Sequence, residues 1–254
     1  MELHVDLDGT ESDPVPFDCA ATFGSRWAAR GILEGRTYPH LPFVDDVQVV
    51  LDIGANAGAA TRYLAHHRPD ARIHAFEPAA GPRQFLERNV AHLPNVEVHP
   101  VGLGREDADV LLYHGLHDDI SGSTILRPEA NRDETEVIRL RRTGAWIEEQ
   151  GLDRLDIVKL DVEGTEIDVL EELVPWLPTI KVLYVEYDSR QARKALGRLL
   201  DATHDLYLGV YLTLDQGECT YLRQDVADHP DARPFLLRSF LQHAGAAGSD
   251  PAPT

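Results

Sequence analysis

The stretch that most constrains this chain is Val49-Val50-Leu51-Asp52-Ile53-Gly54-Ala55-Asn56-Ala57-Gly58-Ala59-Ala60-Thr61. Its first part is an apolar, β-branched run, the pattern of a strand buried on both faces. The run breaks at Asp52, turns through Gly54 and Gly58, and continues from Ala59 to His67 with helical spacing. A strand-to-helix turn built on glycine lets a ligand approach the backbone, because no Cβ stands in the way. The helix start behind the turn aims free N–H groups at that ligand. A second strand, Arg72 to Phe76, ends in Glu77-Pro78. In a doubly wound sheet an acid at that place reads ribose hydroxyls.

Two cofactor classes use this plan. The dinucleotide fingerprint needs Gly-x-Gly-x-x-Gly, and here Asn56 replaces the middle glycine that admits a pyrophosphate. Asp52 also sits badly beside phosphates. It suits a cation, and the amino acid end of S-adenosyl-L-methionine carries an ammonium next to a sulfonium. The turn looks like motif I of class I methyltransferases. The rival on the same fold is an NAD-dependent oxidoreductase.

A chain of 254 residues is long enough for one α/β domain with a large core. The formal charge of −19 would repel a nucleic-acid backbone or an anionic lipid surface, so neither is an expected partner. No run of 18 apolar residues exists, and Met1-Glu2-Leu3-His4 begins no secretory signal. The two cysteines, Cys19 and Cys219, belong to no ligand or redox motif, which suits a cytoplasmic protein. The expected division is an N-terminal arm or lid over 1–45, the main domain over 46–225, and a partly disordered tail over 226–254. A homodimer is left open.

Along the chain, residues 1–25 read as a disordered arm or a short hairpin. Phe23 to Leu33 reads as a helix capped by Ser25. The aromatic segment Tyr38 to Phe43 reads either as a cover for the site or as packing on the sheet edge. Helix Pro82 to Leu93 follows the second strand. Val96 to Val101 is a third strand ending at Gly102-Leu103-Gly104, and Asp109 to Tyr113 and Val137 to Leu140 are further strands. Residues 114–134 lack periodicity, and a loop this long usually serves a site. His114 and His117 lie in it.

Strand Leu155 to Leu160 leads into Asp161, Val162 and Glu163, and the next, Lys181 to Val185, into Glu186, Tyr187 and Asp188. Four carboxylates therefore gather at the carboxyl ends of two strands, where open α/β sheets place ligands. Glu163 or Thr165 is expected to cap the following helix. A helix from Arg190 to Ala202 and an antiparallel pair, His204 to Leu212 with Cys219 to Arg223, complete a seven-stranded, mostly parallel, Rossmann-like sheet.

With these stretches together, the chain resembles the FkbM family of methyltransferases. The residues that carry this are Asp52-Ile53-Gly54-Ala55-Asn56-Ala57-Gly58, Phe76-Glu77-Pro78, Asn89 and, most specifically, Lys159-Leu160-Asp161-Val162-Glu163-Gly164-Thr165-Glu166. The resemblance covers about residues 49 to 187. It implies S-adenosyl-L-methionine-dependent methylation, mostly of hydroxyls on small molecules such as natural products or sugars, with N-, C- and carboxyl-methylation as alternatives. Asp52, Gly54, Asn56, Gly58, Glu77, Pro78, Gly102, Leu103 and Asp161 are the expected donor-binding residues. Asp161 is the first choice of base, with Glu163 and His117 behind it. A related sugar methyltransferase group, similar to macrocin O-methyltransferase, uses strand-end carboxylates for Mg²⁺, which here would be Asp161, Glu186 and Asp188.

Overall fold

The computed structural model describes residues 2–5, 7, 15–113, 125, 135–211, 213 and 215–238. In chain order these form β1 (Glu2–Val5), β2 (Val15–Asp18), α1 (Phe23–Leu33), β3 (Val49–Ile53), α2 (Ala59–His67), β4 (Arg72–Phe76), α3 (Ala80–Val90), β5 (Val96–His99), β6 (Gly102–Gly104), β7 (Ala108–Tyr113) and β8 (Thr135–Arg142). Then come α4 (Thr143–Glu149), β9 (Ile157–Leu160), α5 (Glu166–Leu173), β10 (Val182–Tyr187), α6 (Arg190–Leu200), β11 (His204–Tyr211), β12 (Gly217–Arg223) and α7 (Gln224–Ala227).

The main sheet has seven strands in the order β11-β12-β10-β9-β3-β4-β5. β10, β9, β3, β4 and β5 run parallel, and β12 lies antiparallel between β10 and β11. Alternate side chains of each central strand enter different cores. Leu51, Val158 and Leu183 pack with Ile147 of α4, Leu170 of α5 and Leu196 of α6. Val50, Ile157 and Val182 pack on the other face with Ala60 and Leu64 of α2. Burial on both sides is why β3, β9 and β10 read as continuous apolar runs. At their amino ends Asp156, fully buried, accepts from Gln48 N and Val49 N at 2.9 and 3.0 Å and pairs with Lys181 at 3.5 Å, locking β3 against β9 and β10.

Two expectations change, and one alternative is decided. The strands around Leu103, Leu111 and Ile138 do not join the main sheet. β6, β8 and β7 form a separate three-stranded sheet, with β6 parallel and β7 antiparallel to β8. Their alternating half-exposed faces, with Asp109 opposite Arg139, suit a one-sided sheet and not a strand covered on both faces. The N-terminal segment is a hairpin, β1 against β2. Its Leu3, Val5 and Phe17 bury against Leu33 and Tyr63, so this part of the arm is packed structure. Helix α1 is capped by Thr22, whose Oγ1 accepts from Ser25 N at 3.1 Å, and not by Ser25. In the expected tail, Phe235 packs edge-on to Phe43 with ring centres 5.9 Å apart. His114, His117 and the rest of 114–134 except Ile125 lie outside the described residues.

Candidate active site

The turn after β3 is pinned to the neighbouring strands. Gly54 N and Ala55 N both donate to Phe76 O, at 3.1 and 2.8 Å. Gly54 has φ +81°, and a Cβ there would stand 1.8 Å from the backbone oxygen of Asp161. Glycine is required because the end of β9 passes against the turn, a constraint inside the protein. Gly58, with φ +88°, starts α2 and packs on Leu86; it lines neither cavity described below. Asn56 holds φ +48°, a conformation that asparagine tolerates better than most residues.

Glu77 follows β4 and is 7% exposed. Its Oε2 accepts from Asn56 N at 2.9 Å and its Oε1 from Ala79 N at 2.8 Å. Burial pushes its carboxyl up to about 7, against the pull of these two N–H groups. The carboxylate therefore spans from the glycine turn to the start of α3.

Two cavities meet over the strand ends. The smaller, about 110 Å³, has Glu77, Pro78, Gly102 and Leu103 in its wall, with Ile138 and Leu140 from the side sheet. The larger, about 560 Å³, is lined by Tyr38, Lys159, Glu186 and Glu218 beneath Trp27 and Val210. Gly54, Asn56, Asp161 and Glu163 border both. The four residues shared by the two cavities come from the two motifs that stand out in the sequence.

Electrostatics divide the acids. The ammonium of Lys159 donates to Gly54 O at 2.5 Å and lies 3.3 Å from Asp161 and 3.5 Å from Asp52. Burial would strip its proton, but the two carboxylates outweigh that and hold it charged. Burial likewise works to raise Asp161, yet Lys159, with hydrogen bonds from Glu186 and Tyr38, brings it below the ordinary value. Tyr38 Oη donates to Asp161 Oδ2 at 3.3 Å. Glu186 shifts the other way, pushed up to about 11 by burial and then by the charge on Asp161. The pair is thus one ionised acid beside one protonated acid, an arrangement that separates base from donor.

The loop carrying these groups is held from below. Glu166, 1% exposed, accepts from Val162 N and Gly164 N, each at 3.0 Å. This fixes the bend where Glu163 has φ +59°. Thr165 stands at the N-cap position of α5, as the sequence suggested, but its side chain makes no cap bond.

Of the expected donor residues, Gly54, Asn56, Glu77, Pro78, Gly102, Leu103 and Asp161 line the cavities. Asp52 does not. It is fully buried beneath the turn and accepts from Thr61 Oγ1 at 2.5 Å. Of the proposed Mg²⁺ ligands, Asp161 and Glu186 reach the larger cavity, whereas Asp188 lines neither and accepts from Gln216 at 3.4 Å. Among the described residues these three do not bring their oxygens together as a ligand group. Lys159 already supplies the positive charge beside Asp161, so the geometry does not favour the Mg²⁺ set. Neither Glu218 nor the ammonium of Lys159 stands out from the sequence as a site group, and Tyr38 does so only within the aromatic segment read as a cover or as sheet-edge packing. For Lys159 there was a signal: a lysine in a strand otherwise made of apolar residues needs a buried partner. The segment after Tyr38 packs on the sheet, where Tyr184 Oη donates to Pro39 O at 2.6 Å, and also delivers one hydroxyl to the site.

Residues 52–238 match the family model described as the methyltransferase FkbM domain. The chain is 30% identical over 194 residues to Methyltransferase 1 of Beauveria bassiana, covering 68% of this chain and 77% of that protein. It is 27% identical to the 2-O-methyltransferase NoeI of Sinorhizobium fredii, covering 56% of this chain and 64% of that protein. It is 32% identical to the AMB antimetabolite synthetase AmbE of Pseudomonas aeruginosa over 62% of this chain, a match that spans only 9% of that protein's length.

Proposed function

Because the chain belongs to the FkbM methyltransferase family, we propose that it transfers the methyl group of S-adenosyl-L-methionine to a hydroxyl of a small molecule. The observation that carries this reading is Asp161, an acid kept ionised at the border of both cavities. The oxidoreductase reading has no such family behind it.

The walls suit the donor. Pro78 and Leu103 offer apolar surface for an adenine, and Glu77 offers a carboxylate for a ribose diol. Bound there, S-adenosyl-L-methionine supplies an electrophilic methyl on a sulfonium. Asp52, through Lys159, holds the turn from beneath in place of touching the donor itself.

The larger cavity suits the acceptor. A volume of about 560 Å³ is within the range of small-molecule sites. Its wall sets Asp161, Glu163, Glu186 and Glu218 against Lys159 and Arg36, and Arg36 is paired with Glu34. Such a wall repels a phosphodiester. Asp161 takes the proton of the acceptor hydroxyl, while Tyr38 and the protonated Glu186 steady its carboxylate. Positioning over the strand ends supplies most of the remaining acceleration. The relative NoeI is a 2-O-methyltransferase, which agrees with oxygen as the target atom.

The test is transfer of a labelled methyl group to a panel of sugars, polyols and macrolides. Transfer to a hydroxyl that falls about a hundredfold or more in Asp161→Asn supports the reading. Label found only on nitrogen, carbon or carboxylate contradicts it.

A further inference from the structure

Away from the cavities, on the face of the sheet covered by α4, two histidines and a glutamate meet at the edge strand. His74 of β4 stands directly opposite Glu97 of β5, and Phe76 opposite His99. His74, Glu97 and His99 therefore share one face, since side chains on a strand alternate. His74 Nδ1 lies 2.9 Å from His99 Nε2 and 3.6 Å from Glu97 Oε2. One ligating atom from each residue falls within 4.8 Å of the other two. Trp146 of α4 packs edge-on against both imidazoles, with ring centres 5.1 Å away in each case. The opposite side opens past Glu97, whose side chain is 50% exposed.

We propose that His74, His99 and Glu97 form a binding site for a divalent transition-metal ion of the zinc class, separate from the methyl-transfer site.

The ligand set selects the ion. Imidazole nitrogens with one carboxylate suit zinc, cobalt, nickel or copper, whereas magnesium and calcium prefer oxygen alone. The spacing is close to what is needed. In a tetrahedral centre with bonds of about 2.0–2.1 Å, ligand atoms stand roughly 3.3 Å apart. The separation of 3.6 Å between His74 and Glu97 already spans such an ion, and the 2.9 Å between the histidines must open by a few tenths of an ångström. His74 is fully buried, and its Nε2 has no hydrogen-bond partner. No second bond fixes its tautomer, so Nδ1 can present a lone pair. Burial keeps both rings neutral, with His74 pushed down to about 4. Metal binding releases no net proton from the two rings, but the ring that donates in the 2.9 Å contact must shift its hydrogen to its other nitrogen. The competitor is Arg72, 3.2 Å from Glu97 Oε2. Both partners are about half exposed, so giving up that pair costs little. A fourth position faces solvent for water. An ion here would cross-link the edge strand β5 to β4, the strand that leads into Glu77.

The experiment is a calorimetric titration of Zn²⁺ alone into the tag-free, chelator-treated full chain, with Co²⁺ absorption as a second readout. Binding of one ion with micromolar or tighter affinity is expected, with a visible Co²⁺ band of a four-coordinate site. His99→Ala and Glu97→Gln should each weaken it about tenfold or more. Glu97→Gln alters a half-exposed side chain, so its fold is not at risk. Absence of saturable binding, or affinity that either variant leaves unchanged, overturns the proposal.

Discussion

Lys159 donates to the Gly54 carbonyl at 2.5 Å and stands 3.3 Å from the Asp161 carboxylate. One buried cation thus ties together the glycine turn and the acid that both border the two cavities. Asp52, directly opposite Lys159 in the β3–β9 pairing, completes its charge balance from below.

Removing that cation should destabilise the fold and retune the base. Lys159→Met leaves two buried acids without their partner, a loss on the order of 3–5 kcal/mol in urea unfolding. In protein that remains folded, the acid limb of kcat/KM should move to higher pH, because Asp161 then loses the charge that holds its carboxyl down. An unmoved limb would separate Lys159 from Asp161.

Glu186 and Asp161 divide one proton between them. With Glu186 pushed up to about 11, it is the protonated member at neutral pH and donates to Asp161. Glu186→Gln keeps a donor and should retain most of kcat, whereas Glu186→Ala should lose about tenfold or more. Equal losses in the two variants would mean that Glu186 acts through something other than its proton.

Stability should fall as pH rises through neutrality. Burial pushes Glu77, Glu166 and Glu218 from an ordinary 4.5 up to about 7. Between these values the native state binds more protons than the unfolded chain, so their favourable contribution, complete below 4.5, is lost as pH rises through about 7. Asp161, shifted below its ordinary value, acts oppositely and weakens the fold only at lower pH. Buried His40 and His74, pushed down to about 3 and about 4, are charged only in the unfolded chain below 6.5 and offset part of this loss there. Thermal melts should therefore decline most clearly, by several degrees, between about pH 6.5 and 8. A melting temperature that climbs across that interval would contradict these shifts.

Gly54→Ala should be severe before any ligand is considered. The new Cβ would stand 1.8 Å from Asp161 O on a backbone with φ +81°. Strain and overlap together cost on the order of 3 kcal/mol or more. Denaturant unfolding without donor measures it. A stable variant that merely binds donor poorly would return the glycine to the ligand-approach role expected from the sequence.

Much of this was legible in the chain because burial on two faces leaves a continuous apolar signature. β3, β9 and β10 stood out as runs, and the acids Asp161, Glu163 and Glu186 stood out by ending them. The glycine turn was legible as a turn, but the atom that excludes a side chain at Gly54 belongs to Asp161, more than a hundred residues away. Long-range partners were the limit throughout. Nothing local in Tyr38 or Glu218 tells that tertiary packing brings them to the Asp161 cavity. Asp52 looked like a ligand for a cationic donor because its cationic partner, Lys159, lies on another strand. Glu166 was quoted within a motif, yet its service to the backbone of Val162 and Gly164 appears only when the loop bends back. The side sheet was missed because short strands such as Gly102–Gly104 carry too few residues to show which sheet they join.

The most direct measurement is calorimetric titration of S-adenosyl-L-methionine into the wild-type chain, Glu77→Ala and Asp188→Asn. One donor should bind the wild type with micromolar affinity. Glu77→Ala, which removes the carboxylate from the smaller cavity, should weaken it about tenfold or more, and Asp188→Asn should leave it unchanged. No binding to folded wild type, or a Glu77→Ala variant that binds as tightly, would contradict the assignment of that cavity to the donor.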